Sequence, residues 1–336
     1  MKRSRRRMAR LRFAPLKPAP RGLWRRVPPA IFPVVLGLGG LALVWEEASR
    51  LLGLPPGPAG LPSGAVAGLA LFAWVAYAGK LLRRPAVLLE DLAILPGRAG
   101  LAAAALSFYP LAGVTGLYSA AAGRGLLVLG LALHLVLVAA LIRVLRTGPE
   151  EQRRVSPVWH LSFAGFIVAG PAALILGWPG LAAALFWPML LMAAAIYAVS
   201  MRQVLRARVP APLRPMLAIH LAPLALFGTV AAGLGWEAAA WAFGLAALAL
   251  LIAGVVGVRW LLAAGFSPLW GVTVFPLAAT AGQWVALLGL GGGAADQLVA
   301  AVLLVATTLV VVPLAFRILR LWHQGRLPVI TNAAIA

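Results

Sequence analysis

The sequence alternates between long apolar stretches and short segments that hold almost all of its charged residues. A helix needs about 20 residues to cross the roughly 30 Å hydrocarbon core of a bilayer. Stretches of this length predict ten membrane-spanning helices, near residues 29–47, 61–82, 97–119, 124–145, 157–177, 178–200, 214–234, 236–258, 268–290 and 294–316.

Two of the connections between predicted helices are very short. The residues GWPG join the fifth helix to the sixth, and GWE joins the seventh to the eighth. Connections of this length join antiparallel neighbours in helical hairpins. We therefore predict an all-α fold in which the ten helices form five hairpins.

Prolines recur inside the odd-numbered predicted helices. Proline removes one main-chain hydrogen bond and collides with the preceding turn, and in a bilayer the freed carbonyl must be covered by protein or water. All odd helices cross in the same direction, so they can form an inner ring around a central pore, with the even helices outside. The alternative is that the kinks serve helix packing alone. The five pore-helix kinks would lie at Pro33, Pro110, Pro171, Pro223 and Pro276.

Composition and charge placement support a multi-pass membrane protein. Of the residues, 62% are hydrophobic and only 11% are charged, against about 25% charged in soluble domains. The net charge of +21 would suggest nucleic acid in a soluble chain, yet here the basic residues lie between the spans. Only Arg50 and Arg124 fall on the side opposite the amino terminus, so the positive-inside rule places both termini in the cytoplasm.

The distribution of residue types divides the chain into three parts. Residues 1–27 are rich in arginine and form a predicted basic cytoplasmic tail, residues 28–322 the membrane domain, and residues 323–336 a cytoplasmic C-terminal tail. The basic stretch is too long for a secretory signal peptide. It fixes the topology, with binding of anionic lipid headgroups as the alternative. The preference for arginine over lysine, with abundant Ala, Gly, Leu and Pro, is typical of a GC-rich bacterium and suggests its inner membrane.

The residues available for catalysis or metal binding are few. The chain has no cysteine, four histidines and eight carboxylates, which excludes disulfides and Cys-based metal sites. The odd helices carry no ionisable residue near their middle, where pumps and coupled transporters usually have one. No Gly-rich phosphate loop with Lys and no Ser-His-acid set is visible. We therefore expect no enzyme, no metal site and no cofactor.

The histidines differ in their predicted positions. His134 lies midway along the fourth helix, where a packed or hydrogen-bonded imidazole is expected. His160 and His220 lie near the cytoplasmic ends of odd helices, where an imidazole could attract an anion or carry a proton. A hydrogen bond to backbone freed by a nearby proline is the alternative for both. His323 belongs to the basic C-terminal part of the chain.

Three stretches carry a family resemblance: PPAIFPVVLGLGGLALVW in the first helix, APLRPMLAIHLAPLALF in the seventh and GFSPLWGVTVFPLAA in the ninth. With the ten-span pattern, they resemble the tellurite-resistance/dicarboxylate transporter family, which includes bacterial TehA-like proteins and the slow anion channels of plant guard cells. The resemblance covers residues 28–322. It implies a homotrimer in which each subunit holds its own pore, lined by the odd helices and closed by a phenylalanine of the ninth. The matching residue is Phe275.

These observations predict an anion channel or facilitative anion transporter for small inorganic anions or carboxylates. Basic residues surround the cytoplasmic mouth and the predicted conduit holds no carboxylate, which favours anions over cations. Selection would follow hydration cost, so weakly hydrated anions would pass more easily. One alternative is a proton-linked exporter of a C4-dicarboxylate or an oxyanion such as tellurite, using His220 or His160. Another is a membrane sensor or scaffold whose basic tail binds a cytoplasmic partner. Membrane lipid is an expected partner, and nucleic acid is not.

Overall fold

The computed structural model describes residues 22–52 and 57–336, and these residues form helices and loops without any β-strand. Most of the predicted basic tail, residues 1–21, lies outside this range. The α-helices are α1 (Phe32–Leu51), α2 (Gly57–Arg83), α3 (Val87–Ala93), α4 (Leu95–Leu106), α5 (Phe108–Tyr118), α6 (Ala120–Thr147), α7 (Val158–Ser162), α8 (Ala169–Ile175), α9 (Pro179–Arg206), α10 (Leu221–Gly233), α11 (Glu237–Val256), α12 (Val258–Leu261), α13 (Val274–Leu288), α14 (Ala294–His323) and α15 (Leu327–Ile330). Short 3₁₀ helices are formed by Pro29–Ile31, Glu150–Arg153, Gly165–Val168, Ala211–His220 and Pro268–Thr273.

Nine helical stretches in the described part of the chain are long and apolar enough to cross a membrane. The expectation of an all-helical, multi-pass membrane protein is therefore confirmed. The fifth predicted span, residues 157–177, is instead divided into α7, a 3₁₀ turn and α8. Its longest continuous apolar helix is Gly165–Ile175, which is shorter than a spanning helix. The nine long stretches are Pro29–Leu51, Gly60–Arg83, Leu95–Tyr118, Ala120–Thr147, Pro179–Arg206, Ala211–Gly233, Glu237–Val256, Pro268–Leu288 and Ala294–His323.

The long stretches fall into two classes by burial. Within their most apolar windows, 67% to 78% of the residues are buried in four stretches, which contain α1, α4 with α5, α10 and α13. In the other five, formed by α2, α6, α9, α11 and α14, only 17% to 28% are buried. A helix that is apolar all round and exposed on most of its surface is suited to contact with lipid tails. Most residues of α8 are buried as well, and with this divided segment counted as a fifth buried segment the two classes alternate along the chain.

Contacts between the buried helices follow a closed order. Helix α1 contacts α5 and α13, α5 contacts α8, α8 contacts α10, and α10 contacts α13. Small residues allow the backbones to approach closely, as is common between membrane helices. A Cβ on Gly37 of α1 would collide with the side chain of Val274 and lie 2.8 Å from the backbone nitrogen of Phe275. Gly37 therefore sets the distance between α1 and α13.

The five prolines of the predicted kinks all lie in the first turn of an α-helix. Each is the second or third residue of its helix, α1, α5, α8, α10 or α13, and a 3₁₀ turn or another helix precedes it. The first turn has no intrahelical partner for its N–H groups, so a proline there costs no hydrogen bond. By contrast, α9 and α14 continue through Pro188 and Pro313. The buried segments are thus divided at the prolines, and the exposed helices run through theirs.

The tripeptide Leu-Gly-Trp ends two of the buried segments in the same way. Gly177 and Gly235 have φ of +75° and +73°, a conformation that only glycine adopts without strain. Trp178 N–H donates to the carbonyl of Ala173, and Trp236 N–H donates to that of Ala231. These bonds form the Schellman pattern that closes a helix. Helices α9 and α11 then start at once and pack against α8 and α10, giving two tight hairpins.

The end of the chain packs against its beginning. Ala336 and Arg25 exchange two hydrogen bonds, and the backbone N–H of Ala334 donates to Asp91 Oδ1 over 2.8 Å. The other carboxylate oxygen of Asp91 lies 2.7 Å from Lys80 Nζ, and both side chains are wholly buried. Tyr77 donates a further hydrogen bond to this oxygen. Residues 327–336 therefore cover a buried ion pair at the end of the molecule where α1 begins.

Candidate functional site

A cavity of about 530 Å³ lies between the buried segments. Residues from α1, α5, α8, α10 and α13 all line it, together with Val168 from the turn before α8. On α1 the lining runs from Gly40 to Arg50, and on α13 it runs from Phe275 to the residue that follows the helix, Gly289. The cavity thus has a near end, toward the starts of these helices, and a far end, where α1 ends.

Phe275 lies at the near end of this cavity. It is the second residue of α13, only 5% exposed, and its ring packs against the backbone of Gly40. Pro110 and Pro171 also line the cavity, whereas Pro33, Pro223 and Pro276 are absent from its lining. The structure therefore places Phe275 and two of the five prolines in the wall of the same cavity.

The cavity wall is mostly apolar. Leu, Val, Ile, Ala, Gly and Pro residues supply most of the lining, and the Thr229 hydroxyl donates to the carbonyl of Ala225 within its own helix. Among the described residues, the charged groups in the wall are Glu47 and Arg50, at the far end. The sequence analysis placed Arg50 beyond the end of the first span and missed the contact of this pair with the cavity, because no local pattern links α1 to the other lining helices.

The structure joins the two histidines that the sequence singled out. His160 Nε2 and His220 Nδ1 lie 3.0 Å apart, and the residues are 3% and 8% exposed. His160 belongs to α7, and His220 ends the 3₁₀ helix before α10. The other ring nitrogen of His220 lies 2.9 Å from Ser200 Oγ, on α9. The bonds form a chain from Ser200 through His220 to His160, outside the lining of the large cavity.

Tyr197 completes this cluster, and the sequence analysis did not single it out. Its hydroxyl donates to the backbone carbonyl of His220, and its ring stacks on the His220 imidazole with centroids 4.8 Å apart. Tyr197 precedes Ser200 by one turn of α9, a spacing that puts both side chains on one helix face. Among the described residues, no hydrogen-bond partner reaches His160 Nδ1.

His134 has a structural environment. Its Nε2 donates to the carbonyl of Ser162 over 2.9 Å, while Nδ1 pairs with the Tyr109 hydroxyl at 3.0 Å and Phe166 stacks on the ring. Ser162 ends α7, where the fifth segment is interrupted. His134, on the exposed helix α6, thus supplies a hydrogen-bond donor to a carbonyl at the end of α7. Apolar surroundings require such a partner, because no water is available there. Tyr197 gives the carbonyl of His220, the N-cap residue of α10, an additional donor. In the described residues, no group of three or more His, Asp or Glu side chains could hold a metal ion.

These features define an all-helical, polytopic membrane protein with an apolar cavity among its buried helices. A model of the SLAC1 family of voltage-dependent anion channels matches residues 26–319, and the chain belongs to this family. Membership gives the protein a general role in anion transport and confirms the resemblance drawn from the first, seventh and ninth predicted helices. The comparison with individual curated proteins gives no match.

Proposed function

We propose that the protein is an anion channel or facilitative anion transporter whose conduit passes through the 530 Å³ cavity and is constricted by Phe275. One observation carries this proposal. The cavity is lined by all five segments that contact one another in a closed order, namely α1, α5, α8, α10 and α13, and Phe275 lies at its near end. In the proposed arrangement these segments form an inner ring, and α2, α6, α9, α11 and α14 surround it.

The divided helices support this arrangement. Each proline lies in the first turn of a helix at the depth where a segment is interrupted, and Gly37 and Gly40 let α1 approach the start of α13 there. Such breaks occur at membrane depth only where protein or a cavity covers the backbone. We further propose that residues 28–322 form one transport domain with both termini in the cytoplasm, so that the cavity opens toward the outside. Location in a bacterial inner membrane and assembly as a homotrimer are part of the same proposal.

The apolar wall determines the expected selectivity. An anion must shed part of its hydration shell to pass, and few polar groups in the wall replace the lost water. Weakly hydrated anions should therefore pass more easily than strongly hydrated ones. We expect small inorganic anions or carboxylates as cargo.

The test is an ion-flux measurement on purified protein in liposomes. The Phe275→Ala variant should raise anion flux several-fold over the native chain, because it removes the ring at the near end of the cavity. Phe227→Ala provides a matched control, since Phe227 is a buried phenylalanine of α10 that does not line the cavity. Equal flux from the two variants, or no anion flux from any protein, would refute the gate assignment.

A second candidate function is proton-linked export of a C4-dicarboxylate or an oxyanion such as tellurite. The observation that favours it is the hydrogen bond between His160 and His220, because a chain of ring nitrogens and a hydroxyl can pass a proton along its length. Replacing both histidines with glutamine should then abolish transport driven by a pH gradient. Transport that is unchanged by the pH gradient and by replacement of both histidines would exclude this candidate.

A further inference from the structure

The far end of the cavity carries a charged pair that the proposed conduit does not yet explain. We propose that Arg50 is a binding group for planar oxyanions, such as a carboxylate or nitrate, and that Glu47 is a built-in competitor for the same guanidinium. This inference rests on the proposed anion conduit and names the residues that give it specificity.

The position of the pair is the first argument. Arg50 and Glu47 are the charged residues in the wall of the large cavity, among those that the structure describes. Both also line an adjoining cavity of about 210 Å³. An anion that moves through this end of the cavity therefore passes the Arg50 guanidinium.

The geometry of the pair is the second argument. Arg50 Nε donates to Glu47 Oε2 over 3.1 Å, and Arg50 Nη2 donates to Glu47 Oε1 over 2.5 Å. A guanidinium presents two parallel donors, and a planar oxyanion accepts both at once. The Glu47 carboxylate therefore occupies the position that a bound oxyanion would take. A spherical halide has one centre, so both donors would have to converge on a single atom and could not form two parallel bonds.

Exchange between Glu47 and an incoming oxyanion is easy because the pair is open to solvent. The Arg50 and Glu47 side chains are 65% and 36% exposed. Ion pairs of this kind are held weakly, since water and salt screen them. A mobile anion can therefore displace Glu47 without large cost, and can leave again, as passage through a conduit requires.

The other basic residue predicted on this side is bound elsewhere. Arg124 donates through Nε and Nη2 to the carbonyl of Leu176, and its guanidinium lies 5.5 Å from the ring of Trp178. It caps the end of α8 and does not line the large cavity. Within residues 22–52 and 57–336, Arg50 is therefore the cation that the far end of the cavity offers to an anion.

A second carboxylate shapes the field at this end. Glu46 lines the adjoining cavity and accepts a hydrogen bond from Ser63 Oγ over 2.7 Å. Together with Glu47 it outweighs the single positive charge of Arg50. Neutralising Glu47 therefore releases the guanidinium and removes local negative charge, and both changes favour an entering anion.

The experiment compares nitrate with bromide, a spherical anion of similar hydration, in proteoliposome flux measurements. Glu47→Gln should raise the nitrate flux at low concentration by about two- to fivefold, the range that an exposed ion pair represents. Arg50→Gln should lower the ratio of nitrate to bromide flux by a similar factor. Arg50→Lys keeps the charge and loses the two-pronged geometry, so it should lower the ratio while total flux persists.

The matched control is Glu237→Gln, since Glu237 is an exposed carboxylate at the start of α11 outside both cavities. It should leave flux and ratio unchanged. A nitrate-to-bromide ratio that stays native in both Arg50 variants overturns the inference. Measuring all variants also in the Phe275→Ala background separates the two proposals. If the Phe275→Ala protein conducts anions and its nitrate-to-bromide flux ratio does not change in the Arg50 variants, only the proposed oxyanion site is refuted. If no variant conducts any anion, the conduit itself fails.

Discussion

The ring of Phe275 lies directly against the backbone of Gly40. A Cβ built on Gly40 would be 3.2 Å from the ring atoms Cδ2 and Cε2, closer than an ordinary van der Waals contact. Because both residues line the near end of the cavity, the position of the ring depends on the absence of a side chain at position 40.

This contact predicts that Gly40→Ala shifts the Phe275 ring and alters anion flux. The same substitution should have no effect in the Phe275→Ala background, because the group it displaces is absent there. Flux through liposomes that contain the four proteins of this double-mutant cycle provides the measurement. Gly64→Ala on α2, where no atom lies within 4 Å of the added Cβ, is the control. An equal change in both backgrounds would contradict the prediction.

One turn earlier on α1, Gly37→Ala should act on stability. Its Cβ would meet Val274 and the backbone nitrogen of Phe275, which cannot move as a ring can. Overpacking of this kind costs about 1–3 kcal/mol. Thermal unfolding of the detergent-solubilised protein checks this value, and a midpoint equal to that of the native chain would count against the close packing of α1 with α13.

The buried ion pair predicts very different effects at two adjacent residues. Asp91→Asn leaves the wholly buried ammonium of Lys80 without a counter-charge, which costs about 3–5 kcal/mol. Glu90→Gln removes a pair with Arg84 that water and salt screen, so its loss should be much smaller. Unfolding midpoints of the two variants compare them directly. Similar losses from both substitutions would show that Lys80 is not buried with Asp91 in solution.

Tyr197→Phe should destabilise the protein without removing an aromatic ring. It removes the hydrogen bond that Tyr197 donates to the carbonyl of His220, the N-cap residue of α10, and such an internal bond is worth about 0.5–1.5 kcal/mol. Tyr118→Phe is the control, since Tyr118 is 72% exposed at the end of α5. The comparison again uses thermal unfolding, and equal stability of the two variants would argue against the hydrogen bond.

Two glycine substitutions should change stability in opposite directions. At Gly235 the φ of +73° penalises any side chain by about 1–2 kcal/mol, even though nothing lies within 4 Å. Gly125 lies in the exposed interior of α6 with open space around it, so Gly125→Ala should gain about 0.5–1 kcal/mol. Unchanged stability of the Gly235→Ala variant would show that the Leu-Gly-Trp turn does not set the end of α10.

Much of the fold follows from local features of the sequence. Apolar stretches of about 20 residues identify the spans, and the Gly-Trp connections identify two hairpins, because length and turn chemistry are read within a few residues. The division of the fifth span is not visible in this way. Its hydrophobicity is continuous, and the interruption after Ser162 depends on a hydrogen bond from His134, 28 residues earlier in the sequence. Pro188 and Pro276 likewise look alike in sequence, although α9 continues through the first and α13 begins just before the second.

The site was less accessible to sequence reasoning than the fold. The positions of His160 and His220 near the cytoplasmic ends of odd helices identified them as candidates. Their contact joins residues 60 apart and is set by the packing of α7 against the 3₁₀ helix before α10. Tyr197 and Ser200 gave no signal, since their importance comes only from that contact. The Phe275 gate came from the family resemblance and stays a prediction, which the flux experiments decide.

The burial of Lys80 also makes the chain a reporter of its own folding. Lysine occurs only at positions 2, 17 and 80, and the chain has no cysteine. Because the Lys80 ammonium is enclosed by Asp91 and the carbonyl of Val27, an amine-reactive reagent reaches it only after this region opens. Mass spectrometry of the peptide that contains Lys80 would therefore follow the opening of the region covered by residues 327–336, without any introduced label.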